Sequence, residues 1–179
     1  MLDMQALEAM AAKAGFTHLA PLDAATIELK KEVRDMCASG GCGAYGKNWS
    51  CPPACGELED LRQSIARYRR GILVQSVGEV EDSLDFEGMM EVETAHKARF
   101  NALHEALCRR WPDLLALGVG ACTRCRVCTC PDAPCRFPDK RVSSMEACGM
   151  VVSEVCRANG LGYYYGPRAI AYTSCFLLE

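Results

Sequence analysis

Apolar residues recur at helical spacing in several stretches of the chain, and most of these stretches close on a residue that stops a helix. Over residues 3–13, Leu7, Met10 and Ala14 share one face before Gly15, which predicts a short amphipathic helix. Leu58, Leu61, Ile65 and Tyr68 repeat the pattern up to Gly71, with Arg67, Arg69 and Arg70 in the expected last turn, where cations suit the helix dipole. A longer helix is expected over residues 86–111, because Met89, Phe100, Leu103, Leu107 and Trp111 form a stripe that Pro112 ends. Ser143-Ser144-Met145-Glu146 reads as a capping box opening a helix that carries Met145, Val152 and Cys156 inward and stops at Gly160.

Between these segments lie runs suited to strands. Residues 16–22 and 72–77 are expected strands, and 114–119 is either a short buried strand or an approach loop. Residues 163–165 and 169–178, rich in aromatic and β-branched side chains on either side of Gly166-Pro167, predict two strands in a hairpin. Residues 27–36 are ambiguous. The alternation, without a Gly-rich nucleotide loop, predicts an α/β or α+β fold: a mixed sheet flanked by helices, with two cysteine-rich cluster-binding loops.

A length of 179 residues suits one domain spanning 1–179. The N-terminal residues show no basic region followed by an apolar run, so no signal peptide is expected, and no stretch approaches a membrane span. Thirteen cysteines, an odd number, then belong to a reducing, cytoplasmic setting where clustered thiols hold metal rather than form disulfides. A net charge of -3 gives no electrostatic case for nucleic acid.

Eight of the cysteines carry the candidate chemistry. Cys122, Cys125 and Cys128, each separated by two residues, have the spacing of an iron-sulfur ligand loop in which the fourth thiolate comes from further along the chain. Zinc usually uses two separated Cys-x-x-Cys knuckles, so the third cysteine in one run is surplus to it. The fourth ligand is contested between Cys130, one residue from Cys128, and Cys135, on a rigid return between Pro134 and Arg136; the geometry favours Cys135. The other group, Cys37, Cys42, Cys51 and Cys55, is looser. Gly40, Gly41, Gly43, Gly46, Pro52 and Pro53 break regular structure among them, which predicts a cluster-wrapping loop and not a helix. Tyr45 and Trp49 supply bulk to shield a cluster, and Lys47 a charge to offset it. A zinc knuckle or unliganded loop thiols remain the alternatives for this group.

Cys37 through Cys42, Tyr45-Gly46-Lys47, Trp49, Cys51-Pro52-Pro53, Cys122 through Cys128, Pro131-Asp132-Ala133-Pro134-Cys135-Arg136-Phe137-Pro138 and Ser144-Met145-Glu146-Ala147 resemble the family of predicted metal-binding proteins called domain of unknown function 2284. The resemblance covers nearly the whole chain. It implies iron-sulfur binding in a family found largely in anaerobic bacteria and archaea, with no assigned reaction. Cys130 stands where many members have tyrosine, which leaves it outside the ligand set.

The remaining candidates have plainer readings. Cys108, Cys148, Cys156 and Cys175 fall in expected helices or the last strand as small buried hydrophobes, and His18, His96 and His104 read as packing or surface residues. Three functions fit these residues. The leading one is electron transfer through two 4Fe-4S clusters, one on residues 37–55 and one on 122–135, between redox partner proteins. The others are a cluster-dependent enzyme with an open iron, which suits the first group if Cys55 does not ligate, and a zinc-stabilised interaction module.

Overall fold

In a computed structural model that describes residues 2–39 and 42–179, four antiparallel strands form one sheet with helices on both faces. The elements run α1 (Met4–Ala14), β1 (His18–Asp23), a 3-10 turn (Ala24–Thr26), α2 (Lys31–Ser39), α3 (Leu58–Ile65), β2 (Arg70–Glu79), α4 (Phe86–Cys108), β3 (Leu115–Leu117), a 3-10 turn (Pro138–Lys140), α5 (Val152–Ala158) and β4 (Ala169–Leu177). The strand order is β1-β2-β4-β3. The α+β expectation holds, and the sheet is antiparallel throughout rather than mixed.

β2 and β4 are the central strands. Because both faces of β2 are covered, it reads as a continuous apolar run, and its alternation divides two cores. Ile72 and Val74 join Phe176 against Leu7 and Ala11 of α1 and Phe100, Leu103 and Leu107 of α4. Leu73 joins Cys175 and Leu177 on the opposite face against Val155 and Cys156 of α5, Met145 and Met150, with Leu58 and Leu61 of α3 packed on the edge. Three of the four cysteines given packing roles, Cys148, Cys156 and Cys175, lie in this second core, and Cys108 is half-buried at the end of α4.

The helix ends follow local chemistry. Asp3 caps α1 by accepting from the Ala6 amide at 3.0 Å, and Gly15 closes it in the left-handed region at φ 94°. Asp85 caps α4 by accepting from Gly88 at 2.9 Å.

Three expectations are corrected. The helix through Leu58 ends at Ile65, not Gly71: Arg70 and Gly71 belong to β2, where Gly71 lies so close to β4 that a Cβ would sit 2.1 Å from the Phe176 carbonyl oxygen. The capping box holds a single turn, with Ser144 Oγ accepting from Ala147 at 3.1 Å; Gly149, at φ 88°, breaks it before α5 starts at Val152. Residues 163–165 form no strand, and β4 pairs with β2 and β3 instead.

The segment 143–150 is the common root of both cysteine-bearing regions. Gly118, just past β3, donates to Ser143 at 2.9 Å and accepts from Met145 at 3.1 Å. On its other end Gly149 accepts from Lys30 at 2.7 Å, and Leu29 bridges to Met150, which docks the start of α2.

Candidate metal centre

The first cysteine group sits between α2 and α3. Cys37 lies on the last turn of α2, so the expected loop is in part helix; Gly40 and Gly41 lie outside the described residues. From Cys42 onward the chain is a succession of tight turns: Tyr45 donates to Cys42 at 3.1 Å, Gly46 to Pro52 at 2.9 Å, Cys51 to Asn48 at 3.0 Å and Cys55 to Cys51 at 3.0 Å. Gly46 permits this path at φ 66°. Cys51 is buried, Cys37 and Cys55 are half-buried, and Cys42 is exposed.

Cys37, Cys42 and Cys55 all lie within electrostatic reach of Cys51, and Cys37 lies within reach of Cys42 and Cys55. Burial pushes the Cys51 thiol up to about 11; the Ser50 hydroxyl, 3.8 Å from its sulfur, opposes the rise, and Cys42, Cys55 and Cys37 add to it. Burial also raises Cys37, helped by Cys42 and Glu146 and opposed by Arg34. Cys55 is raised chiefly by burial and pulled back first by Arg34, whose Nη2 lies 3.7 Å from its sulfur; the sulfur faces the Ala147 carbonyl at 3.7 Å. Neutral thiols gathered this way can exchange their protons for a metal, which restores the balance by bringing its own charge.

The second group follows β3. Cys122, Cys125, Cys128 and Cys135 are all half-buried. The loop is closed on itself by Arg136 Nη1 donating to Val127 O at 2.9 Å, Thr129 Oγ1 to Pro134 O at 2.8 Å, and Ala133 N to Thr129 O at 2.9 Å. Cys130 is buried, with its sulfur 3.9 Å from the Gly46 carbonyl, and burial raises its thiol, with smaller contributions from Cys128 and Asp132. Its side chain thus faces the other loop.

The two loops are latched together by residues that sequence reasoning passed over. Asn48 Oδ1 accepts from Ser50 N at 3.0 Å and from Ser50 Oγ at 2.9 Å, while its Nδ2 donates to Cys122 O at 3.1 Å. Ser50 Oγ accepts from Cys122 N at 3.0 Å. Both side chains are buried, so each polar atom needs these partners. Trp49, expected as a shield, takes part in the latch: its indole donates to Ala133 O at 3.0 Å. No periodicity marks such residues, and polar side chains in a loop read by default as solvated.

Around the first group stand Arg34 and Glu146. Burial holds the Glu146 carboxyl above its usual range, and among the described residues its Oε2 has no hydrogen-bond partner. Lys47, expected to offset cluster charge, is exposed, and the cation beside Cys55 is Arg34. Charge is divided unevenly along the chain. Residues 122–142 carry Arg124, Arg126, Arg136, Lys140 and Arg141 against Asp132 and Asp139, a net +3, while the rest of the chain carries -6.

The histidines lie elsewhere. His96 is fully buried, Nδ1 3.0 Å from Ser76 Oγ and Nε2 2.7 Å from Ser174 Oγ, edge-on to Phe16. His104 packs on Phe100 and Phe176, and His18 on Tyr165. The protein side chains alone do not close on a point: among the described residues, no three His, Cys, Asp or Glu side chains converge closely enough to hold a single metal ion. No described helix is long and apolar enough to cross a membrane. All thirteen cysteines are free.

No curated protein and no solved structure matches the chain. A family model matches residues 20–178, a span that includes α2, both cysteine loops and all of the sheet but the first two residues of β1. By that match the chain belongs to the family described as predicted metal-binding protein (DUF2284).

Proposed function

We propose that the protein is an iron-sulfur electron carrier, with one 4Fe-4S cluster on Cys37, Cys42, Cys51 and Cys55 and a second on Cys122, Cys125, Cys128 and Cys135. The observation that carries this reading is the placement of Cys37, Cys42 and Cys55 within electrostatic reach of the buried Cys51, beside a second loop with cluster-ligand spacing. A cubane held by four thiolates takes up and releases single electrons and has no open iron.

The chain's own residues supply the surroundings. Arg34 beside Cys55 offsets the negative charge that four thiolates bring to a half-buried site. Asn48 and Ser50 hold the Cys122 backbone, so the two groups keep a fixed relation. The positively charged second loop, with Val127 65% and Phe137 45% exposed among its arginines, suits an acidic redox partner.

The deciding experiment measures iron, acid-labile sulfide and zinc in protein purified without oxygen, followed by voltammetry. About eight irons and eight sulfides per chain, reduced and reoxidised reversibly, are expected. Zinc without sulfide, or clusters with no reversible couple, ends the reading. The exposure of Cys42 favours one second reading, a cluster-dependent enzyme whose open iron lies at that corner. Cys42→Ala with unchanged iron and sulfide would support it over pure electron transfer.

A further inference from the structure

Beneath the thiols of the first group lies another, Cys148, which neither proposed cluster uses. It sits on the turn 144–149, where its amide donates to Ser144 O and Met145 O, each at 3.2 Å, and its side chain is fully buried. This turn is wedged against the elements that carry the first group. Gly149 O accepts from Lys30 N at 2.7 Å, just before α2, and a Cβ on Gly149 would stand 2.9 Å from the Lys30 carbonyl oxygen and 3.0 Å from Cδ2 of Leu58, which opens α3. Ala147, next to Cys148, accepts from the Cys55 thiol on its carbonyl at 3.7 Å. The turn is therefore the floor on which Cys55 rests, and Cys148 is fixed in it.

The Cys148 sulfur differs from those around it. Cys156, in the same core, donates to Thr173 Oγ1 at 3.8 Å, and Cys55 has Arg34 and Ala147 beside it. Among the described residues no hydrogen-bond partner faces the Cys148 sulfur. Of the charged or ionisable groups within its reach, Cys55 acts on it most strongly, ahead of Arg34 and Glu146. Arg34 in turn reaches Cys37, Cys55 and Cys148 alike. A buried thiol with no partner, beside a proposed ligand and under the same guanidinium, can replace that ligand without a change of donor type or of counter-charge. Exposure also separates the two: Cys55 is half-buried and open to oxidation, whereas Cys148 is closed off from solvent.

We infer that Cys148 is a standby ligand of the first cluster, taking the iron at the Cys55 corner when Cys55 is detached or missing. The inference rests on the reading that Cys37, Cys42, Cys51 and Cys55 hold a cluster. The exchange trades one thiolate for another. The iron-sulfur bond to Cys55 breaks, one to Cys148 forms, and the proton that leaves Cys148 ends on Cys55, with no oxidant or reductant taking part.

The test compares the wild type, Cys55→Ala, Cys148→Ala and the double variant, all purified without oxygen, by iron and acid-labile sulfide content and by voltammetry. About eight irons per chain are expected in the wild type and in both single variants, and about four in the double variant. The first couple of Cys55→Ala should be displaced from its wild-type potential, because the replacing sulfur lies deeper, while the second couple stays in place and reports an intact fold. If the double variant loses both couples, Cys55→Ala with Cys148→Val takes its place, with the same four irons expected. About four irons in Cys55→Ala, about eight in the double variant, or an unmoved first couple in Cys55→Ala would each overturn the standby role and leave the first cluster standing. About four irons in the wild type would overturn the first cluster and the standby role together.

Discussion

The two cysteine-bearing regions differ in what holds them. The first is anchored by regular structure at both ends, with Cys37 on α2 and α3 starting three residues after Cys55, and its deepest thiol is buried and strongly raised. The second hangs from a three-residue strand, keeps its shape through its own Thr129 and Arg136 side chains donating to loop carbonyls, and exposes most of its cations. A site set into a scaffold is tuned by burial and by one nearby guanidinium, whereas a site on a self-bonded loop stays near the surface, where a partner can approach. The same residue type thus stands in two situations, one set into the scaffold and one near the surface.

Removing a ligand from each side breaks the comparison most severely. Cys51→Ala is expected to halve iron content, to about four per chain, and Cys125→Ala to do the same, each leaving the other site loaded. If either variant lost all its iron, the two regions would be one site, and metal analysis by mass spectrometry decides this.

Acid tests the ground beneath the second loop. His96, which shares a small cavity wall with Cys122, is held by burial down to about 3, from an ordinary 6.5. The unfolded chain therefore binds this proton across the window between those values and the folded chain does not, so stability is full above pH 6.5 and falls as pH drops toward 3. At about 1.4 kcal/mol per unit the loss amounts to several kcal/mol, read from urea midpoints at successive pH values. His96→Gln should flatten the part of the profile that His96 contributes.

The latch gives a smaller effect. Ser50→Ala leaves the half-buried Cys122 amide without its acceptor and should cost about 1 kcal/mol or somewhat more. Hydrogen exchange should rise in residues 122–130 as well as in 46–51; a change confined to the mutated loop would show that the two regions are independent. The smallest effect on stability belongs to Arg126→Glu with Lys140→Glu, two exposed cations of the second loop. Folding should shift by less than about 1 kcal/mol, while association with an acidic electron acceptor slows and loses its dependence on salt.

How much of this was legible in the sequence depends on the range over which each feature is decided. α1 and α4 were readable because an apolar stripe and a cap lie within a few residues of each other. The eight cysteines were readable because spacing is itself local. The fate of Arg70 was not: Tyr68 continues the helical stripe from Ile65, and only the close passage of β4 past Gly71 puts the next residues into a strand. The three tyrosines looked like a strand by composition, yet Tyr165 is used singly, its hydroxyl donating to Gln75 Oε1 at 2.6 Å from a segment bounded by Gly160 and Gly166 at positive φ. Asn48 and Ser50 were illegible for the same reason, since their partner Cys122 lies more than seventy residues away.

That separation also bears on how the protein is made. Synthesis delivers Cys37, Cys42, Cys51 and Cys55 well before Cys122 leaves the ribosome, so the first thiols emerge while Asn48 and Ser50 still lack the backbone groups that fix them. The hydroxyl of Ser50 therefore finds its last partner only after residue 122 has been made, so the joining of the two loops is a late event in the life of the chain.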